Sequence, residues 1–241
     1  MSATVPPASS TTFRKECPPL PMEIVQLIID SLAAEWGRQQ DRDLKACALV
    51  CRSWLHASRR WLFRDLSIGY RVLSNPASFS AQERRLVEIL DQNPLLGENV
   101  RRLYYKGRKM DEEMERARVD PLFSTFLSLP RVNRLEIYCV RVDFEKASEH
   151  GCHFQAILAH QVSTGNLVKV ALTGMDNLPI GDILAMPLLE GLDLYDCGLQ
   201  KKGRRHLYSP LTFLEFGSKK ITTWSLSAFR PCVDLETLVI G

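Results

Sequence analysis

The chain has 241 residues, of which 45% are hydrophobic and 24% charged, and its formal net charge is +3. That length allows one or two domains, the composition is that of an ordinary globular protein, and so small a charge gives no argument for nucleic acid. No apolar run approaches the ~20 residues that span a bilayer, and Met1 to Lys15 lacks the apolar stretch of a secretory signal, so neither a membrane nor an export route is expected.

Residues 1–16 are rich in Pro, Ser and Thr and are expected to form a disordered tail. Residues 17–65 follow as a short helical segment. Pro21 suits a first helical position, where its missing N–H is no loss, and Glu23 lies where a helix dipole favours a carboxylate. Ile24, Leu27, Ile28 and Leu32 recur at helical spacing. Ala34 to Asp43 is polar, contains Gly37, and is expected to be a loop. Asp43 is then the cap of a second helix carrying Leu44, Cys47, Ala48, Val50 and Cys51. A third helix is expected from Trp54 to Phe63, with Leu55, Trp61 and Leu62. Three helices in about 45 residues are too small to bury all of these apolar groups, so a face is left for a partner or for the rest of the chain.

From Phe63 onward one pattern returns: apolar, two residues, apolar, one residue, apolar. It occurs at Phe63/Leu66/Ile68, Val100/Leu103/Tyr105, Val132/Leu135/Ile137 and Leu167/Val170/Leu172, then at Leu189/Leu192/Leu194, Leu211/Leu214/Phe216 and Leu235/Leu238/Ile240. The last four copies begin 22, 22 and 24 residues apart and the earlier ones 32 to 37. The shorter spacing is that of leucine-rich repeats. The copy Leu189-x-x-Leu192-x-Leu194-x-x-Cys197-x-Leu199 fills the whole template, with Cys197 at the turn and Leu199 re-entering the core. In the other copies Val142 and Ile221 hold the re-entry position, while Val140 and Lys219 replace Asn or Cys.

Helical signals fall between these strands. Ser80-Ala81-Gln82-Glu83 is a capping box leading into Leu86, Ile89 and Leu90 and stopped by Asn93-Pro94. Asp120-Pro121 opens a segment with Leu122, Phe123, Phe126 and Leu127 that ends before Pro130. Phe154 to Val162 and Trp224 to Phe229 are shorter candidates. The expected fold class is therefore α/β, with residues 66–241 a repeat domain of parallel strands on one face and helices on the other. Its alternate strand positions point outward and form a candidate target-binding surface: Arg102, Tyr104, Lys106, Arg134, Glu136, Tyr138, Lys169, Asp193, Tyr195 and Glu215. The last residues, Val239-Ile240-Gly241, fall inside a strand without a polar cap, so a longer repeat protein is expected.

Leu20-Pro21 at the start and Val50-Cys51-Arg52-Ser53-Trp54 at the end of the helical segment resemble the F-box, a helical motif that docks onto a Skp-type adaptor in cullin-based ubiquitin ligases. Ala46 to Leu55 and Ser58-Arg59-Arg60-Trp61-Leu62-Phe63 are similar to the large F-box sets of mushroom-forming fungi. The loop after Ala34 is several residues longer than in other F-boxes. The resemblance implies that Leu20, Pro21, Ile24, Ile28, Leu32, Val50, Cys51 and Trp54 contact the adaptor, which brings a cullin, while the repeats hold an unknown protein target. The implied function is a non-catalytic substrate-recognition subunit of an SCF-type ligase. A scaffold using the same two surfaces without a ligase is the alternative.

Other chemistry is thinly represented. Gly198 to Gly203 has P-loop glycine spacing but is followed by Arg204 and Arg205 instead of Lys and Ser/Thr. His150-Gly151-Cys152-His153 with His160 lacks a second Cys/His pair for zinc and is expected to be a polar loop. Lys201 to Arg205 and Asp111 to Arg118 are expected to be solvated. Seven cysteines at irregular spacings, and no Asn-x-Ser/Thr acceptor, fit a reducing compartment, cytosol or nucleus. No catalytic constellation, metal or cofactor is expected.

Overall fold

The computed structural model describes residues 20–34, 38–69, 81–107, 124–150, 152–200, 210–217 and 235–240. The chain divides into two compact units, Met1–Ser58 and Arg59–Gly241, against an expected boundary after residue 65.

In the first unit, α1 is Met22–Ala34, α2 Arg38–Ala48, and α3 begins at Arg52 and runs on to Leu62. Pro21 accepts hydrogen bonds from the Ile24 and Val25 amides through its carbonyl, which starts α1 one residue after the proline. Val25, Ile29 and Ala33 of α1 are buried, as is Leu44 of α2, and the two helices pack together. The expected loop from Ala34 to Asp43 is corrected here: α2 starts at Arg38, five residues before its expected cap. Arg and Gln are good helix formers, so the polarity of this stretch does not exclude a helix, and Asp41 and Arg42 in it are exposed. Val50 and Cys51 lie after α2 instead of inside it.

The second unit is an α/β structure built on a seven-stranded, all-parallel sheet. Its strands are β1 Asp65–Gly69, β2 Arg102–Lys106, β3 Arg134–Asp143, β4 Lys169–Asp176, β5 Gly191–Tyr195, β6 Phe213–Gly217 and β7 Thr237–Ile240. They lie side by side in chain order. In each of the seven apolar triplets of the sequence the second and third members lie in one of these strands, and the first lies two residues ahead of it. The pairing is in register: Leu66, Leu103, Leu135, Val170, Leu192, Leu214 and Leu238 form one row across the sheet. From β2 to β5 the members of that row are sealed from solvent.

Between the strands lie α4 (Ala81–Gln92), α5 (Pro94–Gly97), α6 (Ser124–Leu127), α7 (Phe144–His150), α8 (His153–Thr164) and α9 (Ile180–Leu184). Val87 and Leu90 of α4, Phe126 of α6 and Phe154, Ile157 and Leu158 of α8 join the inward strand residues in one core, so the helices cover one face of the sheet. The α4 start and the α8 span match the sequence pattern. Glu83, expected to close a capping box, accepts the Gly69 amide at 2.7 Å, and Ser80 lies outside the described residues. The expected polar loop around His150 and His153 is instead the end of α7 and the start of α8, with Cys152 and His153 buried. Trp224 to Phe229, Asp111 to Arg118, Lys201 to Arg205, Lys219 and Ile221 also fall outside the described residues.

Candidate functional site

Two surfaces stand apart from this core. The first belongs to α1 and the α2–α3 turn. Ile24, Leu27 and Ile28 occupy one stripe of α1, away from buried Val25, Ile29 and Ala33; they and Leu20, two residues before the helix, are exposed, Leu27 to 62%. Leu49 and Val50 are exposed to 87% and 63%. Of the eight candidate adaptor contacts, Leu20, Pro21, Ile24, Ile28, Val50 and Cys51 are exposed, and Leu32 and Trp54 are half-buried. Large aliphatic groups at these exposures are the informative deviation in a small helical unit.

The second surface is the sheet face that the helices leave open. In-register pairing stacks its residues in rows about 4.8 Å apart from strand to strand. One row holds Arg102, Arg134 and Lys169; the next Tyr104, Glu136, Ala171, Asp193 and Glu215; the third Lys106, Tyr138, Thr173 and Tyr195. Like charges thus neighbour one another within a row, and the staggered rows compensate them. Glu136 Oε1 accepts from Arg102 Nη2 at 2.7 Å and from Arg134 Nε at 3.0 Å. Lys169 Nζ sits 2.9 Å from Asp193 Oδ2 and 5.1 Å from the Phe213 ring centre. Lys106 Nζ lies 5.7 Å from the centre of Tyr138.

Two glycines shape this face. A Cβ at Gly217 would strike the Tyr195 ring, so the glycine lets that ring lie over β6. At Gly191 a Cβ would touch the Lys169 stem at 3.4 Å. The Tyr195 hydroxyl donates to Glu215; that bond, burial, and the Glu215 and Asp193 charges push its pKa up to about 12. Burial, then the charge of Glu136 and then Tyr138, raise the Tyr104 pKa above its usual value.

Asp193 is the unexpected member. The outward pattern marks it as an exposed strand residue, yet it is only 6% exposed, and its Oδ1 is sealed with no hydrogen-bond donor. An unsatisfied buried acceptor of this kind costs about 1–3 kcal/mol. No sequence signal announces this, because it depends on Lys169 reaching across Gly191 from the neighbouring strand. The other candidate target contacts are half-buried, except Tyr138, which is exposed.

Behind β5 the template cysteine behaves as a small buried hydrophobe. Cys197 is fully buried, its Sγ 3.4 Å from the Leu172 carbonyl and 3.3 Å from that of Tyr195, and burial pushes its pKa up to about 11. Leu199 packs against the core, and Val142 is buried at the corresponding position of β3, while Val140 is exposed. None of the five described cysteines is in a disulfide. Among the described residues no group of three or more His, Cys, Asp and Glu is placed to hold a metal, and no helix is long and apolar enough to cross a membrane.

No protein-family model matches the chain, and no curated protein or solved structure is significantly similar to it. The function is therefore argued from these two surfaces.

Proposed function

We propose that the chain is a substrate-recognition subunit of an SCF-type E3 ubiquitin ligase, with α1 to α3 as an F-box and the stacked strands as a leucine-rich-repeat domain. The observation that carries this reading is the exposed aliphatic stripe Leu20, Ile24, Leu27 and Ile28, together with Leu49 and Val50, on a unit too small to cover it. Such a stripe on a helix is suited to a hydrophobic groove or facing helices of another protein. A Skp-type adaptor is the partner implied by the Leu-Pro and Val-Cys-Arg-Ser-Trp signatures that bracket it.

The chain itself would perform no chemical step. It would hold the adaptor, and through it a cullin, on the first unit and a target on the open sheet face of the second. Co-localising target and conjugating enzyme raises their effective concentration without any catalytic side chain here. The work would take place in the cytosol or nucleus.

The test is affinity capture of the tagged full chain with a Skp-type adaptor, beside a Leu20→Ala/Pro21→Ala variant. Both residues are exposed, so the variant keeps its helical content by circular dichroism. Capture by the parent and its loss in the variant is the expected result. Equal capture by both, or by neither, overturns the reading. Adaptor without cullin would favour the scaffold alternative.

A further inference from the structure

On the open sheet face a cavity of about 250 Å³ lies over β4, where the small side chains of Ala171 and Thr173 leave space between Glu136 and Tyr138 on one side and Asp193 and Tyr195 on the other. We infer that this cavity receives a cationic side chain of a protein partner, with arginine the best fit. The inference rests on the proposed function in taking this face as the target surface, and it names the chemistry that the target presents.

Asp193 carries the argument. It is more than nine-tenths buried, lines the cavity, and has one carboxylate oxygen on Lys169 and the other without any donor. A carboxylate is an acceptor only, so what Oδ1 lacks is an N–H or O–H. A turn about the soft χ2 torsion of Asp193 would move both oxygens, bringing Oδ1 toward the cavity while the flexible Lys169 stem follows Oδ2. The β5 side of the cavity favours a cation, while Arg102 and Arg134 line its β2–β3 side. Asp193 and Glu215 are direct neighbours on β5 and β6, and Lys169 is the one cation that the described open face of β4, β5 and β6 sets against them. Tyr138 and Tyr195 add aromatic rings at the wall, suited to stacking a flat cation. Guanidinium meets these needs better than ammonium, because it is planar, stacks on aromatic faces, and spreads five donors over more than one acceptor.

On the far side of the cavity, Arg102 and Arg134 share the single carboxylate Glu136, leaving that end with an excess of positive charge. A partner segment crossing the strands from β6 toward β2 would thus present its basic residue first and an acidic residue about two to three strand spacings, roughly 10–14 Å, later.

The experiment titrates N-acetyl-arginine N-methylamide into the ¹⁵N-labelled full chain and follows the amides of Ala171, Thr173 and Asp193. The neutral citrulline counterpart, which keeps the shape, and the aspartate counterpart are titrated alongside. Saturable shifts are expected with the arginine probe, at least five-fold weaker binding with citrulline, and loss of binding in Asp193→Asn. Ala171→Leu, which fills the cavity without touching its charge, is expected to lose binding as well. No saturable shift, equal binding of citrulline, preference for the aspartate probe, or retention of arginine binding by either variant overturns the inference. The Leu20→Ala/Pro21→Ala variant should bind the arginine probe as the parent does. Failure of the parent chain to capture the adaptor, with arginine binding intact, removes the ligase reading and leaves this site; adaptor capture by the parent without arginine binding removes this site alone.

Discussion

On α1 and just before it the side chains of Leu20, Ile24, Leu27 and Ile28 are open to solvent, whereas Leu103, Leu135, Val170 and Leu192 in the sheet are sealed. The residue types are the same, and their surroundings differ. A strand in the middle of the parallel sheet has a neighbour on each side in register and a helix layer over its inward face, so every inward position is closed. The first unit has few elements, and once Val25, Ile29 and Leu44 are covered no described helix remains for the opposite side of α1. An aliphatic residue therefore reports stability in one region and an available surface in the other.

The sharpest way to break that contrast is to truncate both kinds of residue. Leu135→Ala, at the centre of the sheet, should lower stability by about 2–5 kcal/mol in urea denaturation. Ile24→Ala or Leu27→Ala should change stability by no more than ~0.5 kcal/mol each. Comparable losses at the two places would show that α1 is as enclosed as β3.

A smaller effect separates two glycines of the sheet unit. Gly174 has φ +71°, and a Cβ there would collide with the Cys139 carbonyl oxygen. Gly174→Ala should therefore cost about 1–3 kcal/mol, read as a lower Tm. At Gly191 the nearest contact of a Cβ is the flexible Lys169 stem at 3.4 Å, and Gly191→Ala should be close to neutral.

Titration refines the picture further. The raised Tyr195 pKa means that its stabilising contribution is complete below about pH 10 and is lost as pH climbs through about 12. Absorbance at 295 nm should show a tyrosine ionising near pH 12 that is absent from Tyr195→Phe. Gly217→Val should bring it back toward 10 by pushing the ring away from Glu215. The mildest comparison uses thiols. Exposed Cys51 should react with iodoacetamide in the native protein near pH 8, while Cys197, fully buried and with a pKa near 11, should label only after denaturation.

How much of this could be read from the residues differs between the two regions for a physical reason. The apolar triplets found all seven strands because burial on one side of a pleated strand imposes that pattern directly. The α8 span was equally plain. Helix α2 is hidden in the sequence because Arg38 to Asp43 is wholly polar, and a polar run without an apolar stripe has the pattern of a loop. Short helices such as Pro94–Gly97 and Ile180–Leu184 carry too few turns for a period to show. The shift of register between Tyr138 and Val142, with Arg141 at φ 51°, was equally invisible, since nothing about Arg favours that conformation. On the open face the composition is legible and the arrangement is not: which acid meets which base depends on the register of the strands and on diagonal reach between rows. The orphaned oxygen of Asp193 belongs to that second kind of information.

The even lateral alignment of the strands carries a further implication. Their first residues are separated by connections as different as those from Asp65 to Arg102 and from Gly191 to Phe213, yet each begins level with the one before it. Spacer length is thus decoupled from the placement of side chains on the exposed surface. Insertions between strands could accumulate without disturbing the pattern of charges and rings, while a change at one outward residue alters one rung and its immediate neighbours. A scaffold with that property can diversify what it recognises in single steps, and its helical connections can drift freely as long as they still roof the core.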